Sequence, residues 1–199
     1  MKFLLVYSNH HSENFNHYLL ENVKNSLLRA DHEFVVRDLY KLDFNPVLRT
    51  PDFEAIASGN TPQDIAMEQS FINWADVMVF IYPVWWGSMP AIMKGYIDRV
   101  FSWGFAYKSG ENGVTPLLTG KKAVIMSTLG QSRAEYENGM HQSMLVVNEL
   151  GVFGFCGIEV LSQLNFYSIH SLSADEKQKA MNDAGKVLLD IGNTVAENA

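Results

Sequence analysis

The chain has 199 residues, 47% of them apolar and 19% charged, which suits one buried core and excludes a disordered chain. Fifteen Lys+Arg against twenty-two Asp+Glu leave a formal charge of −7, which excludes wholesale binding to a nucleic-acid backbone but not a local pocket for one phosphate. The lone Cys156 excludes an intramolecular disulfide and any multi-cysteine metal site. The N-terminal apolar run is too short for a signal peptide and no stretch nears the roughly 20 apolar residues of a span. We therefore expect a cytoplasmic protein.

Lys2 to Tyr7 predicts a buried strand, because its apolar residues run on without alternation. A polar stretch from Ser8 to Asn14 leads into Phe15, Leu19, Val23 and Leu27, which recur at helical spacing. Glu33 to Arg37 predicts a second strand. Asp38 to Asn60 has no clear period and contains Pro46, Pro51 and Gly59, so it predicts a loop with at most one helical turn. Thr61-Pro62-Gln63-Asp64 opens a helix, with Thr61 as cap and Pro62 in the first turn.

Val77 to Ile81 is the clearest buried strand; Pro83 stops it, and Ser88-Met89-Pro90 opens another helix. A fourth strand spans Lys121 to Ser127. A helix containing Met144, Leu145, Val147 and Leu150 follows, then a fifth strand from Ile158 to Leu164. Ser173-Ala174-Asp175-Glu176 is a capping box for the last helix.

Five strands alternating with helices, with no repeat or linker, predict a single α/β domain over 1–199. Its parallel sheet has order 2-1-3-4-5 and helices on both faces. Such sheets bind ligands outside the carboxyl ends of their strands, near the switch point between the first and third. That singles out three loops: Ser8–Asn16, Tyr82–Met89 and Thr128–His141.

The first loop enters a helix N-terminus, where backbone amides favour an anion. Asn9, Ser12, Asn14 and Asn16 supply neutral hydrogen-bonding groups for a phosphate, or equally for ordinary turn and cap chemistry. In the second loop, Pro83, Val84, Trp85, Trp86 and Gly87 form a proline-pinned turn able to hold amides and indoles against a planar heterocycle. A core or dimer-interface aromatic pair is the alternative. In the third, Gly130 allows close backbone approach, beside Thr128, Leu129 and Gln131. Tyr136 and His141 could share a proton there, although a packed phenol and a surface or capping imidazole are the simpler reading. The remaining histidines lack ligand spacing, so no metal is expected. Cys156 lies in an apolar setting that suits an inert thiol.

Taken in order, several segments resemble the flavodoxin-like NAD(P)H:quinone oxidoreductases, the group of the DT-diaphorases and their shorter bacterial members. They are Phe15-Asn16, Asp38-Leu39-Tyr40 with Phe44-Asn45-Pro46, Asp64-Ile65 with Glu68-Gln69, and Pro83 to Val100 with Pro90-Ala91-Ile92-Met93-Lys94-Gly95. Gly104-Phe105-Ala106-Tyr107, Gly120-Lys121-Lys122-Ala123 and Phe155-Cys156-Gly157 complete the set, which covers nearly the whole chain.

The resemblance implies a flavodoxin-like fold and a tightly bound flavin, FAD or FMN, with NAD(P)H as co-substrate. Asn14, Phe15 and Asn16 would hold its phosphate, joined on the loop's own chemistry by Asn9, which stands where the family often has a histidine nearby, and Ser12; Pro83 to Gly87 would line the ring, and Thr128 to Gln131 would approach its pyrimidine side. Tyr136 and His141 match the family's proton- and charge-handling pair, one residue closer together than in the DT-diaphorases. Glu13 falls where those proteins have a hydroxyl, so it is expected to point outward. The implied chemistry is ping-pong: hydride passes from NAD(P)H to the flavin, and two electrons then go to a quinone, at a homodimer interface. A one-electron flavodoxin-type carrier and an ancillary regulatory flavoprotein of a potassium efflux system are the rival readings. The Trp103–Gly113 loop, as a roof over a substrate pocket, favours the enzyme.

Overall fold

Phe3, Leu5 and Tyr7 of the first strand join one buried cluster and Leu4 and Val6 another, so one apolar run supplies two cores. The computed structural model describes residues 1–197 other than Ser12, Asn112 and Asn138, with 193–197 as backbone alone. Its parallel strands are β1 (Lys2–Tyr7), β2 (Glu33–Asp38), β3 (Val77–Pro83), β6 (Lys122–Thr128) and β7 (Glu159–Phe166). Their spatial order is β2-β1-β3-β6-β7, the doubly wound order expected. All seven residues of β3 are buried, as a strand covered on both faces requires.

On one face lie α1 (Phe15–Arg29) and α7 (Ala174–Glu197), which bring Leu19, Val23, Leu27, Ala184 and Leu188 onto Val79, Ile81 and Val124. On the other lie α3 (Gln63–Trp74) and α4 (Ala91–Val100), whose Ile65, Ile72, Met93 and Tyr96 cover Met78, Phe80 and Ile125. Each of the Val, Leu, Ile, Met and Phe side chains among them stabilises the fold by about 1.5–3 kcal/mol relative to exposure. The Ser173–Glu176 capping box forms in both directions, at 2.8 and 3.3 Å.

Four local expectations change. The segment after β2 contains an eight-residue helix, α2 (Thr50–Ala57), which buries none of its residues. It has no apolar period because its ends and its tether to α4 hold it instead: the Arg49 N–H donates to Asp52 at 3.0 Å, and Asp52 in turn accepts from Arg99. Thr61 does not cap α3; Pro62 is itself the N-cap residue, and its carbonyl accepts from Ala66 at 2.8 Å. The Trp103–Gly113 region holds a two-stranded hairpin, β4 (Tyr107–Gly110) with β5 (Gly113–Pro116). The long helix after β6 is four pieces: α5 (Arg133–Glu137), α6 (Met140–Val146), a π-helix (Val147–Phe153) and one 3₁₀ turn (Gly154–Cys156).

Gly95 explains why two of the sequence segments travel together. A Cβ there would lie 2.2 Å from the Pro46 carbonyl oxygen and 2.4 Å from the Pro46 Cβ. Alanine is the better helix former by about 1 kcal/mol, but overpacking against backbone costs about 1–3 kcal/mol. Gly95→Ala should therefore lower the urea midpoint; a rise would mean that the Pro46 loop yields freely.

Candidate active site

The carboxyl ends of β1, β3, β6 and β7 open onto a cleft of about 310 Å³. Its floor and first wall come from the β1–α1 turn. Asn14 caps α1 by accepting from the His17 N–H at 3.0 Å, and its amide donates to Asn9 Oδ1 at 2.8 Å and to the His11 carbonyl at 3.2 Å. Asn9 also accepts from the His11 N–H at 3.0 Å. Both asparagines thus shape the turn with their side chains. The N–H groups of Phe15 and Asn16, in the first turn of a 15-residue helix, have no carbonyl of that helix to meet. Glu13 is exposed. Ser12 lies outside the described residues.

Asn16 joins two of the loops. Its buried amide donates to Thr128 Oγ1 at 2.9 Å, while its Oδ1 is buried without a partner. Such an orphan acceptor costs about 1–3 kcal/mol until something donates to it.

The second wall is the β3–α4 turn. Trp85 and Ser88 exchange backbone hydrogen bonds at 3.0 and 3.1 Å around Trp86 (φ +51°) and Gly87 (φ +70°). Positive φ at both central residues marks a type I′ turn, which glycine and asparagine adopt readily and tryptophan does not. Trp86 is fully exposed at the tip. Pro83, Val84 and Trp85 line the cleft; Trp86 and Gly87 do not, and the Met140 side chain abuts Gly87. The Trp85 ring faces His10 at 5.7 Å, and His10 continues to Tyr40 at 6.1 Å.

The third wall extends β6. The Leu129 N–H donates to Phe166 and its carbonyl accepts from Ile169, while the Gln131 carbonyl accepts from Ser168. These bonds tie the strand end to the loop after β7. Thr128 and Gly130 line the cleft; the Leu129 side chain is buried beneath it and Gln131 is outside. The same tie brings Ile169 and His170 into the lining, with His10 and His11 from the first loop. His170 escapes a reading confined to three loops, although the rule about carboxyl ends applies equally to β7.

Tyr136 and His141 meet each other but do not line this cleft. Their rings are 5.6 Å apart and edge-on. Tyr136 is buried with Leu129 and Met144 in a small cluster against which Val84 packs. Its hydroxyl donates to the Met144 thioether, and burial, with Tyr167 adding a smaller push, raises the phenol to about 12. His141 is half-buried, with Nδ1 3.3 Å from the Asn165 amide nitrogen. Burial raises the Cys156 thiol to about 11, as an inert cysteine should be. No described residue of the β4–β5 hairpin lines the cleft.

This donor set fits a flavin phosphate. Among the described residues, no carboxylate lines the cleft of a chain that carries twenty-two Asp+Glu. The helix amides there would meet a phosphate, the orphan Asn16 Oδ1 would accept from a hydroxyl, and Trp85 and Val84 would suit a planar ring.

Several known proteins are similar to this chain. A family model described as a flavodoxin-like fold matches residues 1–189. An uncharacterized NAD(P)H oxidoreductase of Haemophilus influenzae is 40% identical over 73% of this chain and 72% of its own. The ribosyldihydronicotinamide dehydrogenase [quinone] of Pongo abelii is 31% identical over 90% of this chain and 87% of its own. A Klebsiella pneumoniae structure described as a quinone reductase superposes with a TM-score of 0.90 at 31% identity, covering 96% of this chain and 85% of that one. The chain belongs to the flavodoxin-like NAD(P)H:quinone oxidoreductase family.

Proposed function

We propose that the chain is a flavin-dependent NAD(P)H:quinone oxidoreductase, a cytoplasmic homodimer whose two co-substrates visit one site in turn. The observation that carries this reading is the cleft, free of carboxylates among the described residues, that joins the α1 amides, the Trp85 wall and the Thr128–Gly130 strand end. When bound, FMN or FAD supplies the two-electron relay between NAD(P)H and the quinone.

The chain's own residues supply position and charge. The Phe15 and Asn16 amides hold the phosphate, with Asn9 and Asn14 fixing the turn that presents them. Pro83, Val84 and Trp85 orient the ring, and Trp86 and Gly87 extend that wall toward a second protomer. Thr128 and Gly130 hold its polar edge, and Leu129 and Gln131 fix that strand end through their bonds to the loop after β7. Behind Val84, Tyr136 stays neutral at physiological pH, so it serves as a donor and not as a base. His141 is the partly exposed member of that pair and the group that handles a proton. The exposed Met140 and Val146 of α6 and Val147 and Leu150 of the π-helix support a homodimer.

Purified protein is expected to be yellow, to release FMN or FAD on denaturation, and to give parallel double-reciprocal lines with NAD(P)H and a quinone. A colourless preparation that takes up neither flavin overturns the reading. Accumulation of a stable one-electron-reduced form on titration would identify a carrier instead.

A further inference from the structure

We infer that Asn165, anchored by Ser127, is the positioning residue that fixes His141 as an Nε2–H donor. This rests on the reading of His141 as the proton-handling group. Neither Asn165 nor Ser127 stood out in the sequence; the sheet register brings them together.

Ser127 on β6 and Asn165 on β7 are direct register partners. The buried Ser127 hydroxyl donates to Asn165 Oδ1 at 2.5 Å, a separation that suits O–H···O and is too short for an amide N–H···O, which favours this orientation of the amide. With its oxygen taken by the sheet, the amide presents its NH₂ to α6, 3.3 Å from His141 Nδ1. An amide nitrogen can only donate, so Nδ1 must be the bare nitrogen of a neutral ring and Nε2 must carry the proton. Tyr136 packs edge-on against the same ring and restricts its rotation.

A second rung repeats the device two residues earlier on the same face of β7. Asn148 donates to Gln163 at 3.1 Å, and Gln163 donates to Glu149 at 3.2 Å. Directional amide bonds thus hold the α6 and π-helical segment at a set distance and rotation over the sheet. An apolar contact would exclude water equally well but would leave the imidazole free to choose its tautomer. One proton position on His141 is the property that Asn165 adds.

The test is ¹⁵N NMR of the His141 ring in the flavin-loaded dimer and in protein freed of flavin, paired with single-turnover flavin reduction. Wild type should show the Nε2–H tautomer. Asn165→Asp, nearly the same shape and still able to accept from Ser127, puts an acceptor opposite Nδ1 and should move the proton to Nδ1. Ser127→Ala frees the amide to turn over and should give mixed tautomers. With Asn165→Asp, reduction by NAD(P)H should slow roughly 100-fold, the low end of what a positioned proton donor contributes. Flavin affinity and KM for NAD(P)H should stay unchanged, and the slowing should vanish in a His141→Ala background. A wild-type ring without the Nε2–H form, or one whose tautomer ignores both substitutions, overturns the inference. A switched tautomer with unchanged reduction overturns the catalytic part of it. Failure to take up flavin would instead sink the underlying reading, and the NMR arm on flavin-free protein separates the two.

Discussion

Replacing Arg99 by alanine should cost the fold about 3 kcal/mol, the low end for a broken buried pair, because it strips the partner from a partly buried carboxylate. The Arg99 guanidinium donates to both oxygens of Asp52 at 3.0 and 3.3 Å, to Asp64 at 2.7 Å and to the Asn45 carbonyl at 2.9 Å. It thereby ties α4 to α2, to α3 and to the loop before them, with its charge 5.7 Å from the Phe44 ring centre. Asp52 is 13% exposed and would be left uncompensated, whereas Asp64, 53% exposed, would be rehydrated. For a chain of this size the loss should lower Tm by about 10 °C. Arg99→Lys should recover only part of it, since an ammonium cannot make the fork.

The same network sets an acid limit. The Arg99 hydrogen bond chiefly holds the Asp52 carboxyl below the usual range, against desolvation that pushes it up. A depressed carboxylate contributes stability that is complete above its unfolded value near 4 and is lost as pH falls through the lower folded value. The gap between wild type and Arg99→Ala should therefore narrow on acidification below about pH 4. Chemical unfolding at several pH values checks this; a gap constant with pH would remove Asp52 from the account.

Asn16→Leu should separate stability from flavin binding. The substitution leaves the buried Thr128 hydroxyl without its donor, but also removes the unpartnered Asn16 acceptor, so two penalties of about 1–3 kcal/mol roughly offset. The shapes are similar, so the flavin-free protein should melt near the wild-type temperature. The flavin Kd should rise at least about tenfold, which corresponds to removing one interaction of about 1.4 kcal/mol. Fluorescence titration and thermal melts on the same samples give both readings. A destabilised variant with unchanged flavin affinity would make Asn16 a structural residue and nothing more.

The sheet was legible because its strands are nearly continuous apolar runs: Lys2–Tyr7 reads off directly, and β3 differs only at its end. What escaped was held together by something other than an apolar period. Helix α2 rests on capping and on Arg99. The β4–β5 hairpin, Tyr107–Gly110 with Gly113–Pro116, is mostly exposed and survives on backbone pairing. In the π-helix Val147–Phe153, residues succeed one another around a wider turn, so the spacing of Val147 and Leu150 mimics an α-helix that is not there. Cleft residues from the first two loops could be found from strand ends alone. Tyr136 and His141 could not be placed, because the path between them and the cleft depends on how α5 and α6 fold back over β7.

A tryptophan at φ +51° gives up about 1–2 kcal/mol to the left-handed backbone, and a fully solvated indole recovers none of it by burial. In the isolated chain, glycine or asparagine at position 86 would serve the turn better. Within the single folded chain the indole makes no buried contact that offsets this cost. Position 86 thus offers the whole apolar area of its side chain to whatever meets the rim of the cleft.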